Sequence, residues 1–190
     1  MTYHVPFLKK SYPEGYKLTG AEIGVWEGEG AVRLCRALDF SMLYLVDAYV
    51  LYDGYNDFNG FGDLSDWGKC EDIMKVALGI DETSFGMCNG QPVKLLKMMS
   101  ADAAKTISDA SLDFVYIDAN HDYPYVLQDL KAWYSKVKPS GWVMGHDWPW
   151  PTVQRAVNEF MAERNLQFDP ESGHLHGTHD WWFKPKEKSL

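Results

Sequence analysis

Apolar positions along the chain follow two alternating rhythms. Short unbroken runs occur at Ala21-Glu-Ile-Gly-Val25, Met42-Leu-Tyr-Leu-Val46, Leu112 to Ile117 and Trp142-Val-Met-Gly145. Between them, apolar residues recur every three or four positions: Ala31, Leu34, Cys35 and Leu38; Val126, Leu127, Leu130, Trp133, Tyr134 and Val137; Val153, Ala156, Val157, Phe160 and Met161. The runs read as strands buried on both faces, and the spaced sets as amphipathic helices. Val93 to Met98 adds a strand, Ala101 to Ile107 a short helix, and Trp181-Trp-Phe183 a last aromatic strand approached through a Gly- and His-rich turn. A further helix, capped by Ser65 or Asp66, runs to about Leu78 and stops at Gly79. Asp122 caps the helix carrying Pro124 in its first turn, and Lys138-Pro-Ser-Gly141 ends that helix with a turn. Strands alternating with helices predict an α/β domain with a largely parallel sheet.

Two stretches lack either rhythm. Met1 to Thr19, punctuated by Pro6, Pro13 and Gly15, reads as a short arm with little regular structure preceding a single domain over residues 20–190. Asp53 to Asp66 is rich in Gly, Asn, Asp and Tyr and reads as a long loop of the kind that forms functional lids. Tyr49, Tyr52, Tyr55, Phe58 and Phe61 crowd it, as walls of a substrate pocket, loop packing or a homodimer contact.

The chain has 190 residues, enough for one sizeable core. Its net charge of -9 opposes a general nucleic-acid or anionic-membrane surface, which needs clustered Lys and Arg. No apolar run approaches the roughly 20 residues of a membrane span, and with no secretory signal the expected compartment is the cytoplasm. Cys35, Cys70 and Cys88 form no CxxC pair and read as reduced, buried side chains.

The candidate chemistry lies where apolar runs stop. Phe114-Val-Tyr-Ile-Asp118 is followed by His121 and Asp122, and Trp142-Val-Met-Gly145 by His146, Asp147 and Trp148. Parallel strands open into a ligand crevice at their carboxyl ends. Carboxylates brought together there repel unless something cationic intervenes, and a divalent ion is one candidate. Asp118, Asp147 and His146 are the candidate ligands, and the two carboxylates fit Mg²⁺. His146 beside them either leaves that site one oxygen ligand short or moves it toward an ion that accepts imidazole. Glu22-Ile-Gly24-Val-Trp-Glu-Gly28-Glu-Gly30 joins the first strand to the first helix, where glycine permits a tight turn and close ligand approach. Arg33 stands where a nicotinamide fingerprint needs its third glycine, which disfavours a hydride-transfer enzyme. Asp47 ends the second strand about 20 residues further on, a spacing suited to ribose hydroxyls.

These motifs in this order, with Ser111-Leu-Asp-Phe-Val-Tyr-Ile-Asp118-Ala-Asn-His121-Asp-Tyr and the later Lys138-Pro and Gly141, resemble the class I S-adenosylmethionine-dependent methyltransferases. The branch resembled is family 24, related to the macrocin-type sugar O-methyltransferases, over about Gly20 to Lys184. The resemblance implies a Rossmann-like fold with helices on both sheet faces and an antiparallel C-terminal strand. It implies that Glu22, Gly24 and Gly28 shape the methionine side of the cofactor pocket, with Asp118 at the same rim, that Asp47 holds the ribose, and that Ser100 lies near the adenine. It implies His121 as general base, a role that suits imidazole, and O-methylation of a small acceptor such as a sugar or phenol. Met98-Met99 departs from the acidic segment common in the family, and His146 and Trp148 stand where metal-dependent relatives have a further oxygen ligand. Two other readings use the same scaffold: a non-catalytic S-adenosylmethionine-binding protein, and the hydroxylation of an antibiotic nucleus.

Overall fold

The computed structural model describes residues 3–50 and 67–186. Its centre is a seven-stranded sheet: β1 (Leu18–Ile23), β2 (Phe40–Val46), β3 (Phe85–Cys88), β4 (Gln91–Leu96), β5 (Leu112–Ile117), β6 (Val137–Gly145) and β7 (Trp181–Phe183), in the order β3-β4-β2-β1-β5-β6-β7. β4, β2, β1, β5 and β6 run parallel, and the edge strands β3 and β7 are antiparallel to their neighbours. The chain moves outward from β1 through β2 to β4, then returns to the other side of β1 as β5. Strand order therefore reverses between β1 and β5, and the carboxyl ends there form the crevice in which sheets of this kind bind ligands.

Alternating side chains of the strands feed two cores. Leu43, Phe114 and Tyr116 face α1 (His4–Ser11), α2 (Glu29–Ala37) and α3 (Trp67–Leu78), packing with Leu8, Leu34 and Met74. Val115, Ile117 and Val143 face α4 (Ser100–Lys105), α5 (Tyr123–Trp133) and α6 (Pro151–Glu163), packing with Ala103, Leu130 and Val157. The three cysteines are free and buried, as expected.

The structure differs from the sequence expectation in three places. The N-terminal segment carries a helix, α1, because Pro6 falls in the first turn, where a missing N–H costs no hydrogen bond. That segment is tied to the sheet at both ends. His4 Nδ1 lies 3.1 Å from Asp180 Oδ1, both side chains buried, while Tyr16 Oη and the Thr19 amide donate to Asp113 at 3.0 and 2.8 Å. Secondly, Lys138-Pro-Ser-Gly141 is not a turn between elements. It bulges within β6, where the pairing with β5 shifts from Leu112–Val137 to Phe114–Trp142. The helix before it ends at Trp133, and a 3-10 turn over Tyr134–Lys136 completes the connection. Thirdly, β3 has no counterpart in the sequence reading. Tyr52, Tyr55, Phe58 and Phe61, the Asp53–Asp66 loop and the capping residues Ser65 and Asp66 lie outside the described residues.

Candidate active site

The glycine segment is shaped by backbone geometry. Gly24 has φ +87, and a Cβ there would lie 2.2 Å from the Asp118 carbonyl oxygen. Only a residue without a side chain lets the ends of β1 and β5 come so close. Gly28 is also left-handed, at φ +84, and precedes the first turn of α2. The loop between them is held by Asp47 at the end of β2. Asp47 Oδ2 accepts hydrogen bonds from the Val25 and Trp26 amides at 2.9 and 3.1 Å, and Oδ1 from the Tyr49 amide at 2.9 Å. Tyr49 in turn donates its hydroxyl to the Trp26 carbonyl at 2.7 Å. Amides of the described residues thus fill three of the roughly four acceptor positions of the carboxylate.

Glu22 lies beneath this loop, 4% exposed, and its Oε2 has no hydrogen-bond partner among the described residues. Burial, then the charges of Asp118 and Asp47, push its carboxyl well above the usual carboxylate range, against a smaller pull from Arg33. Gly30 makes room for it, since a Cβ there would lie 2.0 Å from Glu22 Oε1. Ser100 opens α4 on the outer side of the same rim. Its Oγ accepts the indole N–H of Trp133 at 2.8 Å, so the hydroxyl is already engaged between α4 and α5.

The strand-end acids are bridged by imidazoles. His121 Nε2 lies 2.7 Å from Asp147 Oδ2 and 3.8 Å from Asp118 Oδ1. His146 Nδ1 lies 3.2 Å from Asp147 Oδ2 and 3.8 Å from Asp118 Oδ1. The cationic partner that the paired carboxylates require is therefore available from the protein itself. Burial opposes ionisation of Asp147, but its bonds to His121 and His146 outweigh that and hold it well below the usual carboxylate range. Burial likewise pulls His146 down, and is overcome by its bond to Asp147 and the charges of Asp118, Asp147 and Asp180, leaving its pKa raised. Asp147 adopts φ +55, a left-handed conformation unusual for a residue with a side chain. The Trp150 ring lies 4.9 Å from the His121 ring.

His174, His176 and His179 lie in the Gly- and His-rich segment before β7, and the structure separates them. His174 pairs with Ser172 at 2.9 Å and packs on Trp148, and His176 reaches the Pro170 carbonyl at 3.1 Å. His179 instead stands beside His146, with ring centroids 5.5 Å apart. Among the described residues, two trios offer ligand atoms mutually within 4.8 Å: Asp118, His121 and Asp147, and His146, Asp147 and His179. Mg²⁺ prefers an all-oxygen shell, whereas these trios mix carboxylate and imidazole and suit a first-row ion that accepts nitrogen. No sequence signal links His179 to Asp147, because the contact depends on β7 returning antiparallel to β6.

An open sheet reversing at β1, a glycine-turned loop after it and an acid at the end of β2 are the frame of a Rossmann-like class I methyltransferase. The chain belongs to the methyltransferase-domain family Methyltransf_24, whose profile matches residues 21–148. Its fold is similar to that of the O-methyltransferase NovP, with a TM-score of 0.64 and 16% identity over 97% of this chain and 80% of that one. A candidate rRNA methylase of Clostridium thermocellum gives a TM-score of 0.64 at 12% identity, covering 98% and 95%. A candidate methyltransferase of Streptococcus mutans, solved in complex with SAH, gives 0.60 at 9% identity, covering 96% of each chain. No curated protein sequence matches the chain. Family and fold make this an S-adenosylmethionine-dependent methyltransferase. Among the described residues, no helix is long and apolar enough to cross a membrane.

Proposed function

We propose that the protein transfers the S-adenosylmethionine methyl group to a hydroxyl oxygen of a small acceptor, a sugar, glycoside or phenol. The observation that carries this reading is the His121–Asp147 pair, 2.7 Å apart beside Asp118 at the strand-order reversal. The sulfonium loses its methyl group to the attacking oxygen in line and leaves as neutral S-adenosylhomocysteine. The hydroxyl proton must go elsewhere. The imidazole of His121, held 2.7 Å from the ionised Asp147, takes it as general base, and Asp147 stabilises the imidazolium that results. Asp47 holds the ribose, while Glu22, Gly24, Gly28 and Asp118 enclose the methionine end. Ser100 lies toward the adenine. Holding oxygen and methyl in line supplies much of the acceleration in such displacements.

The residues that would hold a divalent ion are Asp118, Asp147 and His146. Its chemistry would be to lower the acceptor hydroxyl pKa. The mixed donor set favours Mn²⁺ or another imidazole-accepting ion over Mg²⁺.

Calorimetric titration with S-adenosylmethionine, with and without Mg²⁺ or Mn²⁺ and with NADH as control, tests the cofactor. Transfer of labelled methyl to a panel of sugars, glycosides and phenols tests the acceptor. Cofactor binding with labelled product is expected, and Asp118→Asn should abolish any response to the ion. Binding without transfer to any hydroxyl would favour the non-catalytic reading, and binding of NADH alone would overturn the assignment.

A further inference from the structure

Trp26 and Tyr49 share an unusual backbone. Trp26 has φ +52 and Tyr49 φ +48, both left-handed, and for a bulky aromatic residue that conformation is an outlier. Strain of this kind persists where the surroundings over-determine it, and around Trp26 they do. The Val25 amide bonds Asp47 Oδ2 at 2.9 Å, and the Val25 carbonyl accepts the Gly28 amide at 2.9 Å. The Trp26 amide bonds the same Oδ2 at 3.1 Å, and the Trp26 carbonyl accepts the Tyr49 hydroxyl at 2.7 Å. Anchoring both the amide and the carbonyl of one residue restrains the two dihedrals between them. Asp47 holds the first of these groups and Tyr49 the second.

Tyr49 is itself well fixed. Its amide bonds Asp47 Oδ1 at 2.9 Å, and its side chain is buried in the core that includes Met74 and Leu78 of α3. The same two residues back the loop from below, since a Cβ at Gly28 would lie 3.2 Å from an atom of each. Burial, then the charges of Asp47 and Glu22, push the Tyr49 phenol well above its usual range, so the hydroxyl stays a donor.

We propose that Tyr49 is a positioning residue for the cofactor loop: its hydroxyl holds Trp26 in the strained conformation that the ligand meets, so the loop is shaped before the ligand arrives. The inference rests on the cofactor assignment and is independent of the acceptor and of the base. Without the hydroxyl, the Trp26 carbonyl is released and Trp26 relaxes toward an ordinary conformation. Binding must then restore the strained loop, and the apparent affinity falls with the fraction of molecules that keep it.

The test is calorimetric titration with S-adenosylhomocysteine, paired with urea unfolding. Tyr49→Phe should weaken binding about tenfold, the effect of one lost hydrogen bond. Glycine enters the left-handed region freely, so in a Trp26→Gly background the same change should weaken binding about twofold or less. Trp26→Ala also removes the indole but keeps the strain of an L-residue, and there the loss should remain about tenfold. A hydroxyl that only stabilises the fold would lower the urea midpoint and leave affinity unchanged in every background, which would overturn the inference. An equal loss of affinity in the glycine and alanine backgrounds would overturn it too. Should Tyr49→Phe not fold, the two Trp26 variants with Tyr49 intact decide. They should bind within about twofold of each other, because the hydroxyl already holds the alanine in place. Binding about tenfold weaker in Trp26→Ala than in Trp26→Gly would overturn the inference while leaving the cofactor assignment standing. Failure of S-adenosylhomocysteine to bind the intact protein would overturn both.

Discussion

Replacing Gly24 by alanine should damage stability and cofactor binding together, and the structure sets the size. The added Cβ would sit 2.2 Å from the Asp118 carbonyl oxygen, 2.6 Å from its carbon and 2.7 Å from Ala119 Cα. Nonbonded heavy atoms rest at about 3.5 Å, so the oxygen contact is more than about 1 Å too close. The obstacle is backbone and cannot rotate away. Gly24 is bonded to the Val46 carbonyl at 2.9 Å and Asp118 to the Ile23 carbonyl at 2.8 Å, so both sides of the collision are anchored in the sheet. The left-handed backbone costs about 1–2 kcal/mol for an L-residue, and overpacking adds about 1–3 kcal/mol. The sum is about 2–5 kcal/mol, or about 1–2.5 M in urea midpoint for a slope near 2 kcal/mol/M. Gly15 is the internal control. It has φ +77 with nothing within 4 Å of an added Cβ, so Gly15→Ala should show the conformational cost alone. Urea unfolding of both variants, with S-adenosylhomocysteine calorimetry on each, makes the comparison. Equal midpoints for the two, or undiminished affinity in Gly24→Ala, would show that the close approach of β1 and β5 does not build the pocket.

Asp47→Ala should weaken S-adenosylhomocysteine binding at least about tenfold, because it removes both a ribose acceptor and the anchor of the Val25 and Trp26 amides; unchanged affinity in calorimetry would end its role. His121→Ala should lower turnover by about 10²–10⁴ with any acceptor the panel identifies, while cofactor affinity stays put; full activity across the pH range would place the base elsewhere. Metal-free protein should lose stability toward both pH extremes. The depressed Asp147 contributes stability above the ordinary carboxylate value of about 4, lost as pH falls below it, and the raised His146 contributes below about 6.5, lost as pH rises through its folded value. Asp147→Asn should flatten both limbs in urea midpoints measured against pH, and an unaltered profile would refute the coupling.

How legible each part was depends on where its cause lies. β5 was readable because Leu112 to Ile117 is buried at every position, and its apolar run stands out. β3 was hidden, since it spans four residues of which Phe85 and Met87 are exposed and its formation depends on pairing with β4. Proline misled twice. Pro6 suggested an irregular arm, though a first-turn position tolerates it, and Pro139 suggested a turn where β6 bulges opposite Asp113. In the site, Gly24, Asp47 and Asp118 were legible from spacing along single βα units. The pairing of His121 with Asp147 was not, because it joins loops after different strands. Nor was the occupation of Ser100, which depends on how α4 packs on α5.

The contact between His4 and Asp180 joins residues 176 positions apart. Tyr116 closes it from the middle of the sheet, donating its hydroxyl to Asp180 Oδ1 at 2.7 Å, with its ring 3.9 Å from that of His4. Fraying of either α1 or β7 would leave buried polar groups of the other without partners, so neither element can open cheaply by itself. Regions near chain ends ordinarily exchange amide hydrogens through low-energy local openings. Here the two outermost elements are bound into the same cooperative unit as the central strands. The loop behind β6, which carries Asp147, inherits that rigidity through the Trp181 indole bonded to the His146 carbonyl at 2.8 Å.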